Sequence, residues 1–437
     1  MVMKIENSNN PLILVVFGAT GDLYQNKLSV SLFNLFTQNL LPKDFRVIGF
    51  ARRLFSDLEF QNLTRESILN KNKTCDKQIL ENFLTHVKYV QGDLTDLQSF
   101  QNLSLELGKK DRENKICSNK LFYLAVPPNL YEIIFKNISE AGLAIPCARD
   151  LELSAFATGS GVTKWTRILV EKPFGKDMDD AKKLDQMLGR LFDEMQIFRI
   201  DHYLAKKNMR NLMDFSFSNG ISKSLWNNQN IEYVKIALYE DDTLKDRANF
   251  YDGVGALRDV GQNHVLQMLA LVAMEAPDKK LHRDIHEARN VVFQKTSLIS
   301  EKIVHGQYEG YLQEKNVEKG SKTETFFRVI LGIDNSRWQG VPFILESGKA
   351  LDNKEVFVEV CFKNTKGCFK FLISSHNNAL DDAYEKVFYD CILGDQTIFV
   401  STGEVMAQWK IVTDIIQKWQ SIPLVIYKKG SKAEEIK

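Results

Sequence analysis

The sequence lacks the marks of a zinc frame, a nucleic-acid binder or a membrane protein. Its six cysteines (Cys75, Cys117, Cys147, Cys361, Cys368 and Cys391) include no CxxC pair. They read as buried or free thiols of a reducing compartment, so neither a disulfide frame nor a metal site is expected. There is almost no net charge: 57 Lys and Arg stand against 56 Asp and Glu. General attraction to nucleic acid or anionic lipid is therefore not expected. The apolar runs are strand-length, far short of the roughly 20 residues of a bilayer span. The opening "MVMKIENSNN" has no apolar core, so no secretory leader is expected. No internal repeat is present. What remains is a 437-residue chain, 44% apolar and 26% charged. That suits a soluble, cytoplasmic protein of two or three domains.

The first 200 residues alternate short apolar runs with helical spacing. "LILVVF" (Leu12 to Phe17) reads as a buried strand, and Leu28, Leu32, Leu35 and Phe36 follow at helix spacing. "FRVIGFA", "VKYVQGD", "LFYLAV", "RILVEKP" and "FRID" read as further strands. Strands alternating with helices predict a parallel sheet covered on both faces. Beyond that point "IEYVKIALYE", "FFRVILGI", "VFVEVCFK" and "CFKFLISS" follow with few helices between them, which predicts an antiparallel sheet. Two helices carry apolar stripes. One holds Leu257, Val260, His264, Met268, Leu271 and Val272; the other, a core stripe, holds Val405, Met406, Trp409, Val412, Ile415, Ile416 and Trp419. The tail "KKGSKAEEIK" is expected to fray. The reading is thus a Rossmann-like, doubly wound α/β domain over 1–200. A larger α+β domain with a broad antiparallel sheet spans 201–437.

"FGATGDL" (Phe17 to Leu23) follows the first strand and opens a helix. Gly18 and Gly21 leave room for a pyrophosphate, and the helix start offers N–H donors. The second strand ends in Gly49-Phe50-Ala51-Arg52-Arg53, with no acid to hold a ribose 2′-hydroxyl. Arg52 suits a 2′-phosphate instead, which favours NADP over NAD. The alternative is a solvated arginine pair, common after a strand, and NADP is the favoured reading. For His264, helix spacing alone favours a core histidine.

Six segments in order resemble the glucose-6-phosphate dehydrogenase family. They are "GATGDL", "YLAVPPNLY", "ILVEKPFGKD", "RIDHYLAKK", "LRDVGQNHVLQMLALVAME" and "GVPFILESGKAL". The resemblance runs from about residue 12 to 420. It implies oxidation of β-D-glucose 6-phosphate at C1 to 6-phosphoglucono-δ-lactone, with hydride transfer to NADP⁺, at the oxidative entry to the pentose phosphate pathway.

The resemblance also assigns residues. His264 matches the general base, Asp201 its orienting carboxylate, and Lys172 a lysine between substrate and cofactor. Gly18, Ala19, Thr20, Gly21, Asp22, Leu23, Lys27, Arg52, Tyr131 and Lys172 match cofactor contacts. His202, Tyr203 and Lys206 match phosphate donors, which a dianion needs. Glu240, Asp259, Lys349 and Lys354 match further substrate contacts, together with Lys172. Lys354 stands where the family often has arginine. Asp259 and His264 are five apart, about 140° on a regular helix, so spacing alone does not put them on one face. The site is expected in a crevice between the domains, in a homodimer or homotetramer, with no metal, nucleic acid or membrane partner.

Several residues depart from the family pattern. Tyr24 replaces an alanine, so its ring must point away from the pyrophosphate. Ala205 replaces a glycine and would be strained if that position needs positive φ. His376 stands where a glutamine is expected. Glu346 replaces an arginine that helps hold a second, structural NADP in some members, so that site is expected to be absent. The chain is also short for the family. These changes leave open a non-catalytic sensor that binds NADP and a sugar phosphate. Another Rossmann oxidoreductase acting on a different sugar is a third reading.

Overall fold

The computed structural model describes residues 11–114, 117–145, 164–216, 224–277, 281–299, 302–364, 367–375 and 383–437. They divide into two compact units. The first lies within 1–174, 182–200 and 382–400, and the second within 175–181, 201–381 and 401–437.

The first unit is built on a seven-stranded sheet. Its strands are β1 (Leu12–Phe17), β2 (Phe45–Ala51), β3 (Val87–Gln91), β4 (Asn119–Leu124), β5 (Thr166–Val170) and β6 (Ile197–Ile200). All six run parallel, in the order β6-β5-β4-β1-β2-β3. Every residue of β1 and β4 is buried, as continuous apolar strands require when helices cover both faces. Phe17 packs its ring against Phe50, Phe100 and Phe122, joining three parts of this core. From β1 the chain passes to β2 on one side, while β4 pairs on the other. Ligands bind at the carboxyl ends of strands at such a switch point.

The second unit carries an eight-stranded sheet. Seven strands lie in the order β13 (Cys368–Ser375), β12 (Glu355–Phe362), β7 (Ile231–Tyr239), β11 (Phe343–Gly348), β10 (Phe326–Ile333), β9 (Val304–Tyr308) and β15 (Val425–Tyr427). β8 (Thr296–Leu298) pairs off this path with β10. The pairing is mostly antiparallel; β7 with β11 and β9 with β15 are parallel. The remaining strand, β14 (Phe399–Val400), joins the first unit's sheet antiparallel to β6. The α/β and α+β classes read from the sequence are both present. Along the helix Thr402–Trp419, Val405, Trp409, Val412, Ile415 and Trp419 are buried as core.

Two expectations are overturned. The tail is docked, not frayed. β15 pairs with β9, and the Arg328 guanidinium donates to the carbonyls of Ala433 and Ile436, at 2.7 and 2.9 Å. Ala433 and Ile436 are buried as a result. The cysteines are not all thiols. Cys361 and Cys368 face each other across β12 and β13, with Cα atoms 4.0 Å apart, and form a disulfide. A cross-strand pair depends on register, which cysteine spacing does not reveal. Cys117 is also disulfide-bonded, Cys75 and Cys391 are free, and Cys147 lies outside the described residues. Among the described residues, no helix is long and apolar enough to cross a membrane.

Candidate active site

The loop after β1 holds its shape through glycine. Gly18 has φ +81°, and a Cβ there would lie 2.4 Å from the Ala125 carbonyl oxygen, at the end of β4. Only glycine lets the two strand ends approach so closely. The Gly18 N–H donates to Phe50 O and the Gly21 N–H to Gly18 O, both at 2.9 Å. Gln25 Nε2 ties back to Thr20 O at 3.0 Å. The following helix begins with a π turn, Tyr24–Leu28, before Ser29–Thr37 continues as α. Ala19 is buried, Thr20 and Leu23 are half-buried, and Gly21, Asp22 and Lys27 are exposed. This open cradle of backbone at a switch point fits a dinucleotide pyrophosphate.

Tyr24 turns into the core. Its ring stacks on Phe60 at 5.2 Å, and its hydroxyl meets Thr64 Oγ1 at 3.0 Å. The cradle is therefore not crowded by it. Arg52 is exposed at the end of β2, with its carbonyl accepting from Gln91 Nε2 at 3.3 Å. Asp93 is held below its usual carboxylate pKa by the N–H and hydroxyl of Thr95, and more weakly by the charge of Arg52.

Lys172 follows β5, half-buried, and its bond to Pro173 is cis. The preceding Glu171 stands out by no motif of its own. Tyr123 donates to its carboxylate at 2.6 Å, and burial raises its pKa although the charge of Lys172 opposes that rise. An acid directly before the strand-end lysine was the only sequence signal for it. Tyr131 is buried, with its hydroxyl donating to the Glu171 carbonyl at 3.0 Å, so it braces this strand end.

The second unit brings most of the remaining residues together. Asp201 Oδ1 lies 2.6 Å from His264 Nδ1, and both side chains are almost fully buried. The same oxygen accepts the Tyr203 N–H at 3.0 Å. A carboxylate only accepts, so Nδ1 is the donor of this pair, and in the neutral imidazole the lone pair is then on Nε2. Tyr203 stacks on the His264 ring at 4.1 Å, and His202 meets that ring edge-on at 4.7 Å. Lys206 Nζ lies 3.5 Å from the centre of the Tyr203 ring. Burial, then the charges of Glu240, Asp201 and Asp259, push the Tyr203 phenol pKa up and keep it a neutral donor. Ala205 is buried and has no positive φ, so replacement of glycine there adds no backbone strain.

Glu240, Asp259 and Lys349 form an adjoining group. Lys349 Nζ donates to Glu240 Oε2 at 2.5 Å and lies 3.9 Å from Asp259 Oδ2. Lys354 is exposed and pairs instead with Asp242 at 3.6 Å. Glu346, far from being solvated, is buried and takes bonds from Arg328, Tyr239 and Lys235. His376 lies outside the described residues.

One geometric expectation fails usefully. The segment Leu257–Val265 is a π-helix, continued by the α-helix Leu266–Ala273. Hydrogen bonds in a π-helix run from i to i+5, so residues five apart come near one another. Asp259 and His264 therefore no longer diverge as on an α-helix. Asn263 supports this winding: its Nδ2 donates to Asp259 O at 2.9 Å and its Oδ1 accepts the His264 N–H at 2.7 Å. Sequence reasoning missed Asn263, because its role depends on the wider turn.

The profile of the glucose-6-phosphate dehydrogenase NAD-binding domain matches residues 15–211, and that of the C-terminal domain matches 213–380 and 369–436. The chain belongs to the glucose-6-phosphate dehydrogenase family. It is 35% identical over 473 residues to glucose-6-phosphate 1-dehydrogenase 6, cytoplasmic, of Arabidopsis thaliana, covering 96% of this chain and 89% of that one. The glucose-6-phosphate 1-dehydrogenase of Borreliella burgdorferi is 33% identical, with 98% and 96% covered. A solved glucose-6-phosphate dehydrogenase in complex with its substrate glucose-6-phosphate superposes with a TM-score of 0.83 at 28% identity, covering 97% of this chain and 95% of that one. A family member of this kind uses a nicotinamide dinucleotide.

Proposed function

We propose that this chain oxidises β-D-glucose 6-phosphate at C1 to 6-phosphoglucono-δ-lactone with NADP⁺, and that His264 is the general base. The buried Asp201–His264 pair at 2.6 Å carries this reading. The relatives named glucose-6-phosphate 1-dehydrogenase support the substrate and the reaction.

When bound, the nicotinamide dinucleotide supplies the hydride acceptor. His264 Nε2 takes the C1 hydroxyl proton, and Asp201 stabilises the imidazolium that forms. His202, Tyr203 and Lys206 offer donors to the phosphate. Glu240 and Asp259 accept from sugar hydroxyls while Lys349 balances their charge; Lys354 and Lys172 add positive charge on the substrate side. Gly18 to Leu23, with Lys27, Arg52, Lys172 and the bracing Tyr131, would hold the dinucleotide. The guanidinium of Arg52 favours NADP because it matches a 2′-phosphate in charge and shape.

The sensor reading rests on Tyr24, Ala205 and His376. Tyr24 packs in the core and Ala205 has an ordinary backbone, so two of its three supports are gone. A cytoplasmic location follows the relatives named as cytoplasmic. A homodimer or homotetramer is supported by Phe369 and Leu372 on β13, which are 56% and 38% exposed. Sedimentation at micromolar concentration should give a dimer or larger, and a monomeric mass would refute it.

The paired assay follows the absorbance of the reduced nicotinamide with glucose 6-phosphate and NADP⁺, against the same sugar with NAD⁺ and against unphosphorylated glucose with NADP⁺.

 The expected result is reduction of NADP⁺ with the phosphorylated sugar and little or none with glucose. Binding of both ligands without turnover on any sugar phosphate would support the sensor instead.

A further inference from the structure

The π-helix that carries Asp259 and His264 begins at Leu257, and an acid from another element meets its first turn. Glu324 lies in the segment leading into β10 and is buried. Its Oε1 accepts the Leu257 N–H at 3.0 Å, and its carbonyl accepts the Ala256 N–H at 3.0 Å. Gly255, at φ +79°, leaves space for the carboxyl, because a Cβ there would fall 2.2 Å from both carboxyl oxygens. Tyr251 also donates to the Glu324 carbonyl, at 3.3 Å. The side chain and backbone of one residue thus hold the start of the helix, on a bed that only glycine provides.

We propose that Glu324 is a positioning residue, which sets the first turn of the catalytic helix and through it the placement of Asp259. The proposal rests on the reading of His264 as base and of Asp259 as a sugar contact. Asp259 is two residues beyond the bond from Leu257, so it answers first to any shift of that turn. His264 is farther along and is held independently by Asp201 and by the side chain of Asn263. Loss of Glu324 therefore weakens the hold on the sugar more than it slows the chemistry.

The charge state of Glu324 adds a second readout. Burial lifts its pKa to about 7, against bonds from the Leu257 N–H and its own N–H and the charge of Arg258. Other ionisable groups nearby are Tyr251 and, in a cleft of about 530 Å³ that Glu324 also lines, His305 and Lys322. As an anion the carboxyl is the stronger acceptor at a helix start, where the peptide dipoles favour negative charge. Glutamine imitates the neutral acid but not the anion.

The test is KM for glucose 6-phosphate and kcat, with saturating NADP⁺, at pH 6 and pH 8. It compares wild type, Glu324→Gln, Glu324→Ala and His264→Asn. Glu324→Ala is expected to raise KM about fivefold, the usual scale of a lost cap, with kcat within about twofold of wild type. Glu324→Gln should match wild type at pH 6 and show about threefold higher KM at pH 8. Taking the ratio of variant to wild type removes the substrate's own titration. If Glu324→Ala does not fold, the KM of Glu324→Gln relative to wild type decides: raised at pH 8 supports the role, equal to wild type at both pH values overturns it. KM equal to wild type at both pH values in the alanine and glutamine variants, with His264→Asn inactive, overturns the role of Glu324 alone. Retention of kcat by His264→Asn overturns the base assignment on which the proposal rests.

Discussion

Asp201 Oδ1 accepts from His264 Nδ1 at 2.6 Å while also taking the N–H of Tyr203. One oxygen thus fixes both the imidazole tautomer and the turn that follows β6. Asparagine at 201 loses the charge that stabilises the imidazolium and permits the wrong tautomer. Asp201→Asn should lower kcat by about 10²-fold or more, with KM for the sugar phosphate changed only a few-fold. Steady-state kinetics checks this, and an unchanged kcat would separate Asp201 from the chemistry.

Glu240 and Lys349 meet at 2.5 Å, and Lys349 is nearly buried. Glu240→Gln removes its closest negative partner. Breaking a fully buried ion pair costs about 3–5 kcal/mol, and less here because the Glu240 side chain is 30% exposed. Part of that cost is recovered here, because Asp259 lies 3.9 Å from the same ammonium. Urea unfolding should show a loss of about 1–2 kcal/mol, and KM for glucose 6-phosphate should rise with it.

Arg52 stands exposed where an NAD-binding domain commonly carries an acid. Arg52→Ala should raise KM for NADP⁺ about tenfold or more, since a charge-assisted, bidentate contact to phosphate is lost. KM for NAD⁺ should be unaffected. Equal effects on both cofactors would mean that Arg52 does not read the 2′-phosphate.

Stability should depend on pH through Glu324. Its folded pKa, about 7, lies above the ordinary value of 4.5, so folding favours the protonated form. That contribution is complete below the ordinary value and is lost as pH rises through about 7. Glu324→Gln cannot ionise. It should therefore gain stability relative to wild type between pH 5 and pH 8 in urea unfolding. A constant difference across that range would show that Glu324 is not buried as an acid.

The parts of the fold that were legible in the sequence are those where one pattern has one solution. "LILVVF" and "LFYLAV" are too apolar for any place but a two-sided parallel sheet. The Val405 to Trp419 stripe has the period of a helix facing a core. The candidate site residues come from motifs, and the structure brings His264 to Asp201 and Lys349 to Glu240. What escaped depends on contacts distant in sequence. The Cys361–Cys368 bond depends on strand register, and the docked tail on Arg328. The π winding of Leu257–Val265 is hidden because the same apolar stripe fits an α-helix, while Asn263 bridges Asp259 and His264 only in the wider turn. Tyr24 looked like an obstacle at the cradle until Phe60 and Thr64 were seen to receive it.

The central claim is that His264 removes the C1 hydroxyl proton. The direct measurement is kcat of His264→Asn with saturating glucose 6-phosphate and NADP⁺, alongside glucose 6-phosphate binding. The account predicts a fall in kcat of about 10²–10⁴-fold with binding retained. Full kcat in the asparagine variant would contradict it.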